Sequence, residues 1–207
     1  LGLLAGELVP TSGRAMVGGM PVGDLDHRAL ARRRALLSQD EQVSFGFTVE
    51  EVVSWGRTAW AGEAGAGDDS AAVESALAEC DLVAIRTRPV TSLSGGERKR
   101  VHLARVLAQA APVLLLDEAD SDLDLVGRRM IDDLVVRHAR SGGSAVVVTH
   151  DIARMGHVCD DVVLIADGRV LAAGPREHVL TEPLLSQAFG VPVHVHGSGD
   201  DLTVRIA

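Results

Sequence analysis

Two uninterrupted apolar runs constrain this chain more than any other feature. Val113-Leu114-Leu115-Leu116 ends in Asp117-Glu118, and Ala145-Val146-Val147-Val148 ends in Thr149-His150. Each run has strand length, and a helical pattern over residues 125–141 separates them. Strands apolar at every position bury both faces, as parallel sheets do when helices cover both sides. In such a sheet the polar residues after both runs emerge at the carboxyl edge, where open α/β folds bind ligands. Two carboxylates and an imidazole are then expected to share one crevice.

The rest of the chain falls around that core. Residues 1–7 are apolar at helical spacing, and the breakers Pro10-Thr11-Ser12-Gly13 are expected to close that helix. A hairpin over 14–22 turns at Gly18-Gly19, a short polar helix spans 27–34, and a short strand spans 35–39. From 48 to 109 the pattern is helical: Val49, Val52, Val53 and Trp55 first, then 71–80, then 97–109, with a Gly/Ala/Asp loop over 62–69. Beyond it lie a buried strand (112–116), a helix (125–141), a second buried strand (144–149), a helix (152–159) and a third strand (161–165). Asp167-Gly168 then makes a hairpin turn into 169–173. The pattern predicts an α/β core interrupted by a helical insert.

Composition narrows the partners. The 207 residues suffice for one domain, or a domain with a small subdomain, and 46% hydrophobic with 24% charged residues is ordinary for a globular protein. No apolar run approaches the roughly 18 residues of a membrane span, so membrane association is expected to run through a partner protein. A net charge of −9, with no basic block longer than Arg32-Arg33-Arg34, argues against nucleic acid. Cys80 and Cys159 stand alone and read as buried free thiols of a cytosolic protein, with no secretory signal in the sequence. His194 and His196 alternate on an expected terminal strand; two ligands without a third read as solvated positions rather than a metal site.

Two stretches can carry chemistry. An acid directly after a buried strand, as Asp117 is, can hold a hydrated Mg²⁺ on a nucleotide, and the next acid, Glu118, can orient or deprotonate an attacking water. The alternative is that both merely cap the following helix. Ser94 caps another helix, whose first turn holds Gly95 and Gly96; bare N–H groups at a positive helix end can approach a phosphate closely. An ordinary Ser-Gly-Gly cap with Glu97 in the first turn accounts for the same residues. From the residues alone both alternatives stand.

Together these segments resemble a known family. Leu93-Ser94-Gly95-Gly96-Glu97 resembles the signature motif of ATP-binding cassette (ABC) domains, and Val113 to Glu118 resembles a Walker B strand. Gln39 resembles the Q-loop glutamine, Asp120-Ser121-Asp122-Leu123-Asp124 sits where the D-loop belongs, and His150 resembles the switch histidine. Five motifs in family order cover nearly the whole chain, which is thereby identified as a member of that family. The resemblance implies an α/β P-loop NTPase core of RecA type, with a mostly parallel sheet and an inserted α-helical subdomain. It implies core over residues 1–43, the helical subdomain over 44–109, core again over 110–175 and a C-terminal extension over 176–207. It further implies that Asp117 binds Mg²⁺ through water, that Glu118 is the general base and that His150 contacts the γ-phosphate. Gln39 would join the Mg²⁺ and lytic-water shell and couple it to a membrane subunit. Ser94, Gly95, Gly96 and Glu97 would bind ATP held by the opposite protomer, and Asp124 would help form that dimer. The implied partners are transmembrane permease subunits, a second copy of the cassette and, indirectly, a substrate-binding protein, at the cytoplasmic face of the plasma membrane.

The sequence also departs from the family pattern. It has no Gly-x-x-x-x-Gly-Lys-Ser/Thr loop, and its only lysine, Lys99, lies inside the signature helix. In the family, the segment resembling Leu1 to Gly6 comes directly after that loop. The sequence is therefore expected to be a piece whose loop lies upstream, with little or no ATPase activity of its own. Where the family usually has Pro-Thr and then Ser-Ala-Leu-Asp, this chain has Ala119-Asp120 and Ser121-Asp122-Leu123-Asp124. The extra acids are expected to tune ATP binding by like-charge repulsion. Thr48-Val49-Glu50-Glu51-Val52-Val53, with Gly56-Arg57 and Trp60, resembles importers of iron-siderophore, haem and vitamin B12. The run from Val101 to Gln109 is closest to haem importer ATPases. A soluble ABC protein without a membrane partner, or a degenerate cassette lacking its own activity, are the alternatives.

Overall fold

The computed structural model describes residues 1–38, 43, 45–63, 67–120, 123–197 and 202–206, and the chain forms two units, 1–149 and 150–207. Gln39, Ser121 and Asp122 lie outside the described residues.

In the first unit α1 (Gly2–Ala5) is shorter than residues 1–7 predict. It stops at Gly6, whose φ of 77° is left-handed, rather than at the breakers four residues on. An added Cβ at Gly6 would sit 2.6 Å from Leu30 Cδ2, so glycine is required there on both counts. The hairpin β1 (Met16–Val17) and β2 (Met20–Pro21) turns through Gly18 and Gly19, both at positive φ. Helix α2 (His27–Ala31) is capped by Asp26, whose Oδ1 accepts the Ala29 N–H at 2.7 Å. Val17, Val22 and Leu30 form the core beneath these segments.

The sheet of this unit has three parallel strands in the order β3 (Arg34–Leu37), β4 (Val113–Asp117), β5 (Ser144–Val148). Leu37 lies opposite Leu116, and Asp117 opposite Val148. Central β4 is buried through Leu114, Leu115 and Leu116, as its apolar run predicts. β5, an edge of this sheet, departs from the expectation of a fully buried strand: Val146 and Val148, two apart and so on one face of it, are exposed. Helix α6 (Leu125–Arg140) packs on β5 and buries Gly127, Ile131, Leu134 and Val135, a stripe at helical spacing.

A helical layer of the same unit holds α3 (Val49–Ser54), α4 (Asp69–Glu79) and α5 (Gly95–Ala108), packed against one another. Thr48 and Glu51 form a reciprocal capping box on α3, which runs on as a 3₁₀ segment, Trp55–Trp60. Asp68 caps α4, which begins inside the loop predicted over 62–69. Cys80, behind α4, is buried, and burial pushes its thiol up to about 12.

The second unit begins with α7 (Ile152–Val158), followed by β6 (Asp161–Ala166) and β7 (Arg169–Pro175). β6 returns antiparallel along β7 through Asp167 and Gly168, both at positive φ, since a two-residue turn allows no parallel return. Then come α8 (Arg176–Val179), α9 (Glu182–Phe189) and the hairpin β8 (Val193–His196) and β9 (Thr203–Ile206). Leu180, Leu185, Val193 and Leu202 form its core. His194 and His196 are exposed on β8, and no group of three metal-ligating side chains occurs among the described residues. Cys159 is only half-buried, against the expectation of two buried thiols, because it lies in the connection between α7 and β6. No helix among the described residues is long and apolar enough to cross a membrane.

Candidate functional site

The signature segment folds as an open helix end. Ser94, in extended conformation, caps α5: its Oγ accepts the Glu97 N–H at 3.3 Å, and Glu97 Oε2 accepts the Ser94 N–H at 2.7 Å. The Ser94 amide and hydroxyl, with Arg88 at 3.6 Å, hold the Glu97 carboxyl below its usual range. The Glu97 carboxylate is thus committed to the cap. The glycines beside it remain approachable: an added Cβ at Gly95 would meet nothing within 4 Å, and one at Gly96 only Leu123 Cδ2 at 3.8 Å. First-turn amides have no acceptor inside their own helix, so one turn carries both the cap and an open donor face.

The carboxyl edge of the sheet supplies the acids. Asp117 is the last residue of β4 and half-buried. Glu118 leaves the strand at φ 46°, a left-handed conformation that costs a residue with a Cβ about 1–2 kcal/mol. Both ends of its backbone are held. The Glu118 N–H donates to the Val148 carbonyl at 3.0 Å, and the Glu118 carbonyl accepts from Lys99 Nζ at 3.3 Å. Neither acid caps the next helix, α6, against the alternative that both do. That role belongs to Asp124, whose Oδ1 accepts the Gly127 N–H at 2.8 Å. Ala119 and Asp120, the residues that depart from the family pattern, are buried. The structure therefore brings Ser94, Gly95, Gly96, Glu97, Asp117, Glu118 and Asp124 into one unit, with Leu123 between the signature turn and the start of α6. His150 is exposed and opens the second unit.

Two arrangements escaped the sequence reading. One is the Lys99 bond to Glu118; the sequence shows only a lone lysine one turn beyond Gly95. The other is a clasp on the far end of α5. Arg57, only 6% exposed, donates from Nη1 to the Ala108 carbonyl at 2.9 Å and from Nε to Asp69 Oδ1 at 2.7 Å. Its guanidinium lies 5.4 Å from the centroid of the Trp60 ring, and Trp60 Nε1 donates to the Gln109 carbonyl at 2.7 Å. Gln109 in turn donates from Nε2 to the carbonyls of Arg34, at 2.8 Å, and Ala31. These donors satisfy carbonyls that a helix end leaves unpaired. An arginine inside an otherwise apolar segment was the available signal.

The same layer exposes an aromatic patch. Phe47 meets Trp55 edge to face at 5.0 Å between ring centroids and Phe45 at 6.2 Å, and Phe45 is 71% exposed.

The chain is similar to known proteins in sequence and fold. The family model described as ABC transporter matches residues 1–121. The hemin import ATP-binding protein HmuV of Streptomyces coelicolor is 46% identical over 195 residues, covering 94% of this chain and 70% of that protein. The cobalamin import ATP-binding protein BtuD of Halobacterium salinarum is 43% identical over 191 residues, covering 92% of this chain and 48% of that one. Among solved structures, an ATP-binding subunit of an ABC transporter superposes with a TM-score of 0.76 at 20% identity, over 91% of this chain and 75% of that one. A metal-chelate type ABC transporter in an inward-facing conformation gives 0.71 at 24% identity, over 84% and 71%. The last two show the α/β cassette fold, and the family match and the relatives show the lineage: the chain belongs to the ABC transporter family of ATP-hydrolysing cassettes.

Proposed function

We propose that this cassette powers an importer for haem or a related metal chelate, with Glu118 as the general base of ATP hydrolysis. The observation that carries the base assignment is the held, left-handed Glu118 directly after Asp117 at the carboxyl edge of the sheet. Asp117 is a hard oxygen donor at that edge and fits Mg²⁺, which supplies charge neutralisation on the phosphates when bound. Glu118 orients and deprotonates the attacking water, and Gln39 helps position it. His150 donates to the γ-phosphate. The open amides of Gly95 and Gly96, with Ser94 and Glu97 fixing their turn, face the nucleotide of a second cassette, and Asp124 lies on that seam. Catalysis of this kind is positioning and electrostatics more than covalent chemistry.

The hemin and cobalamin import relatives support the substrate class. The exposed Phe45, Phe47 and Trp55 patch supports docking to a transmembrane permease at the cytoplasmic membrane face, with a substrate-binding protein delivering cargo to that permease. The test is Glu118→Gln in the full-length protein assembled with its permease. ATP turnover should fall by about a hundredfold or more, the usual contribution of a general base, with hemin uptake lost in parallel. Undiminished turnover would remove Glu118 from that role, and cobalamin transport in place of hemin would reassign the cargo.

A further inference from the structure

We infer that Lys99 is a positioning residue for hydrolysis: its ammonium fixes the Glu118 peptide and ties the signature helix to the proposed base. This rests on the assignment of Glu118 above and extends it to a side chain outside the five motifs.

Three observations converge. Glu118 occupies a backbone conformation that a residue with a Cβ does not hold unaided, at φ 46°. The Val148 carbonyl fixes the peptide before the Glu118 Cα through its N–H, and the Lys99 bond fixes the peptide after it through its carbonyl, so the two bonds together hold the φ and ψ between them. Lys99 lies four residues after Gly95 on α5, hence on the same face as the open glycine turn and one turn below it. One helix therefore presents amides to the nucleotide of one protomer and an ammonium to the peptide of its own base. Lys99 is half-buried, where a charge-assisted hydrogen bond is stronger than in water. It is also the only lysine in 207 residues that carry nineteen arginines. A surface cation with no special task would be arginine here as it is elsewhere in the chain.

The experiment compares Lys99→Met, which keeps the stem and removes the donor, with Lys99→Arg, which keeps a donor, and Glu118→Gln, all in the full-length protein. Steady-state ATPase kinetics, thermal melting and amide exchange of the peptide spanning 113–120 are measured on each. Lys99→Met should lower kcat roughly tenfold, the value of one hydrogen bond from a charged donor, and leave KM for ATP within about twofold. Exchange over 113–120 should rise, the melting temperature should hold, and Lys99→Arg should recover most of kcat. If Lys99→Met keeps parental kcat while Glu118→Gln is inactive, the positioning role is wrong and the base assignment stands. Equal losses in Lys99→Met and Lys99→Arg, tracking a drop in melting temperature, would make Lys99 a packing residue and overturn the inference. Full turnover in Glu118→Gln would overturn the reading beneath it and the inference with it.

Discussion

Gly56→Ala is a demanding test of the helical layer. The backbone of Gly56 lies against α5 so closely that an added Cβ would sit 2.2 Å from the Arg105 carbonyl oxygen, 3.0 Å from the Gln109 nitrogen and 3.2 Å from the Ala108 Cβ. Ordinary contact begins at 3.4 Å, and the nearest atom belongs to backbone, which cannot swing aside as a side chain can. The 3₁₀ segment must move off α5 by about 1 Å, and that movement stretches the bonds from Arg57 to the Ala108 carbonyl and from Trp60 to the Gln109 carbonyl. Overpacking costs about 1–3 kcal/mol, and weakening a charged and a neutral buried hydrogen bond adds a similar amount, so the total is roughly 3–5 kcal/mol. Against a typical stability of about 5–15 kcal/mol, that lowers the melting temperature of a chain this size by roughly 6–20 °C. Urea unfolding followed by circular dichroism measures it, with Gly95→Ala as the control. Alanine meets no neighbour at position 95, and the control should stay within about 0.5 kcal/mol of the parent. A Gly56→Ala protein melting within about 2 °C of the parent would refute the close approach and the cost assigned to it.

Two further outcomes concern single groups. The Cys80 thiol has its pKa raised from 9.0 to about 12 by burial, so the unfolded chain loses that proton first and stability should fall as pH rises from 9 toward 12. The slope is at most about 1.4 kcal/mol per pH unit for one thiol. The chain has no tyrosine to obscure it, and Cys80→Ala should flatten the decline; parental stability constant from pH 9 to 11 would contradict the burial. Asp124→Ala should cost about 1 kcal/mol in urea unfolding through loss of the α6 cap, while Asp124→Asn, which keeps the acceptor, should not. Equal losses in both would mean that charge, not capping, is what Asp124 contributes.

The sequence exposed those parts of the fold whose cause is local. β4 was legible because four consecutive aliphatic residues leave no polar face, and the α5 start because Ser94 and Glu97 have the spacing of a reciprocal cap. The β6–β7 hairpin was legible because Asp167-Gly168 admits one return direction. What failed depended on distant neighbours. Residues 1–7 looked helical to the end, but the chain leaves the helix at Gly6 in a left-handed conformation, and Leu30 packs where a Cβ at that position would sit. β5 carries the same apolar run as β4 and yet sits at an edge, because periodicity cannot tell a centre strand from an edge one. In the candidate site, residue types at fixed spacing pointed to the acids and the glycine turn. The bond from Lys99 to Glu118 joins positions nineteen apart through a backbone carbonyl, which no side-chain pattern announces.

The clasp on the last turn of α5 has a mechanical consequence. Arg57 and Trp60 grip the carbonyls at that end, and Gln109 fastens it to the backbone beside β3, while the Ser94 end rests on its own cap and on Lys99. Fourteen residues rise about 20 Å, so a tilt of roughly 5° about the clasped end would carry the opposite end by about 2 Å. α5 is built as a lever with its pivot remote from the proposed nucleotide-binding turn: small rotations of the helical layer become hydrogen-bond-sized displacements at Ser94, and the proposed base is attached partway along the arm.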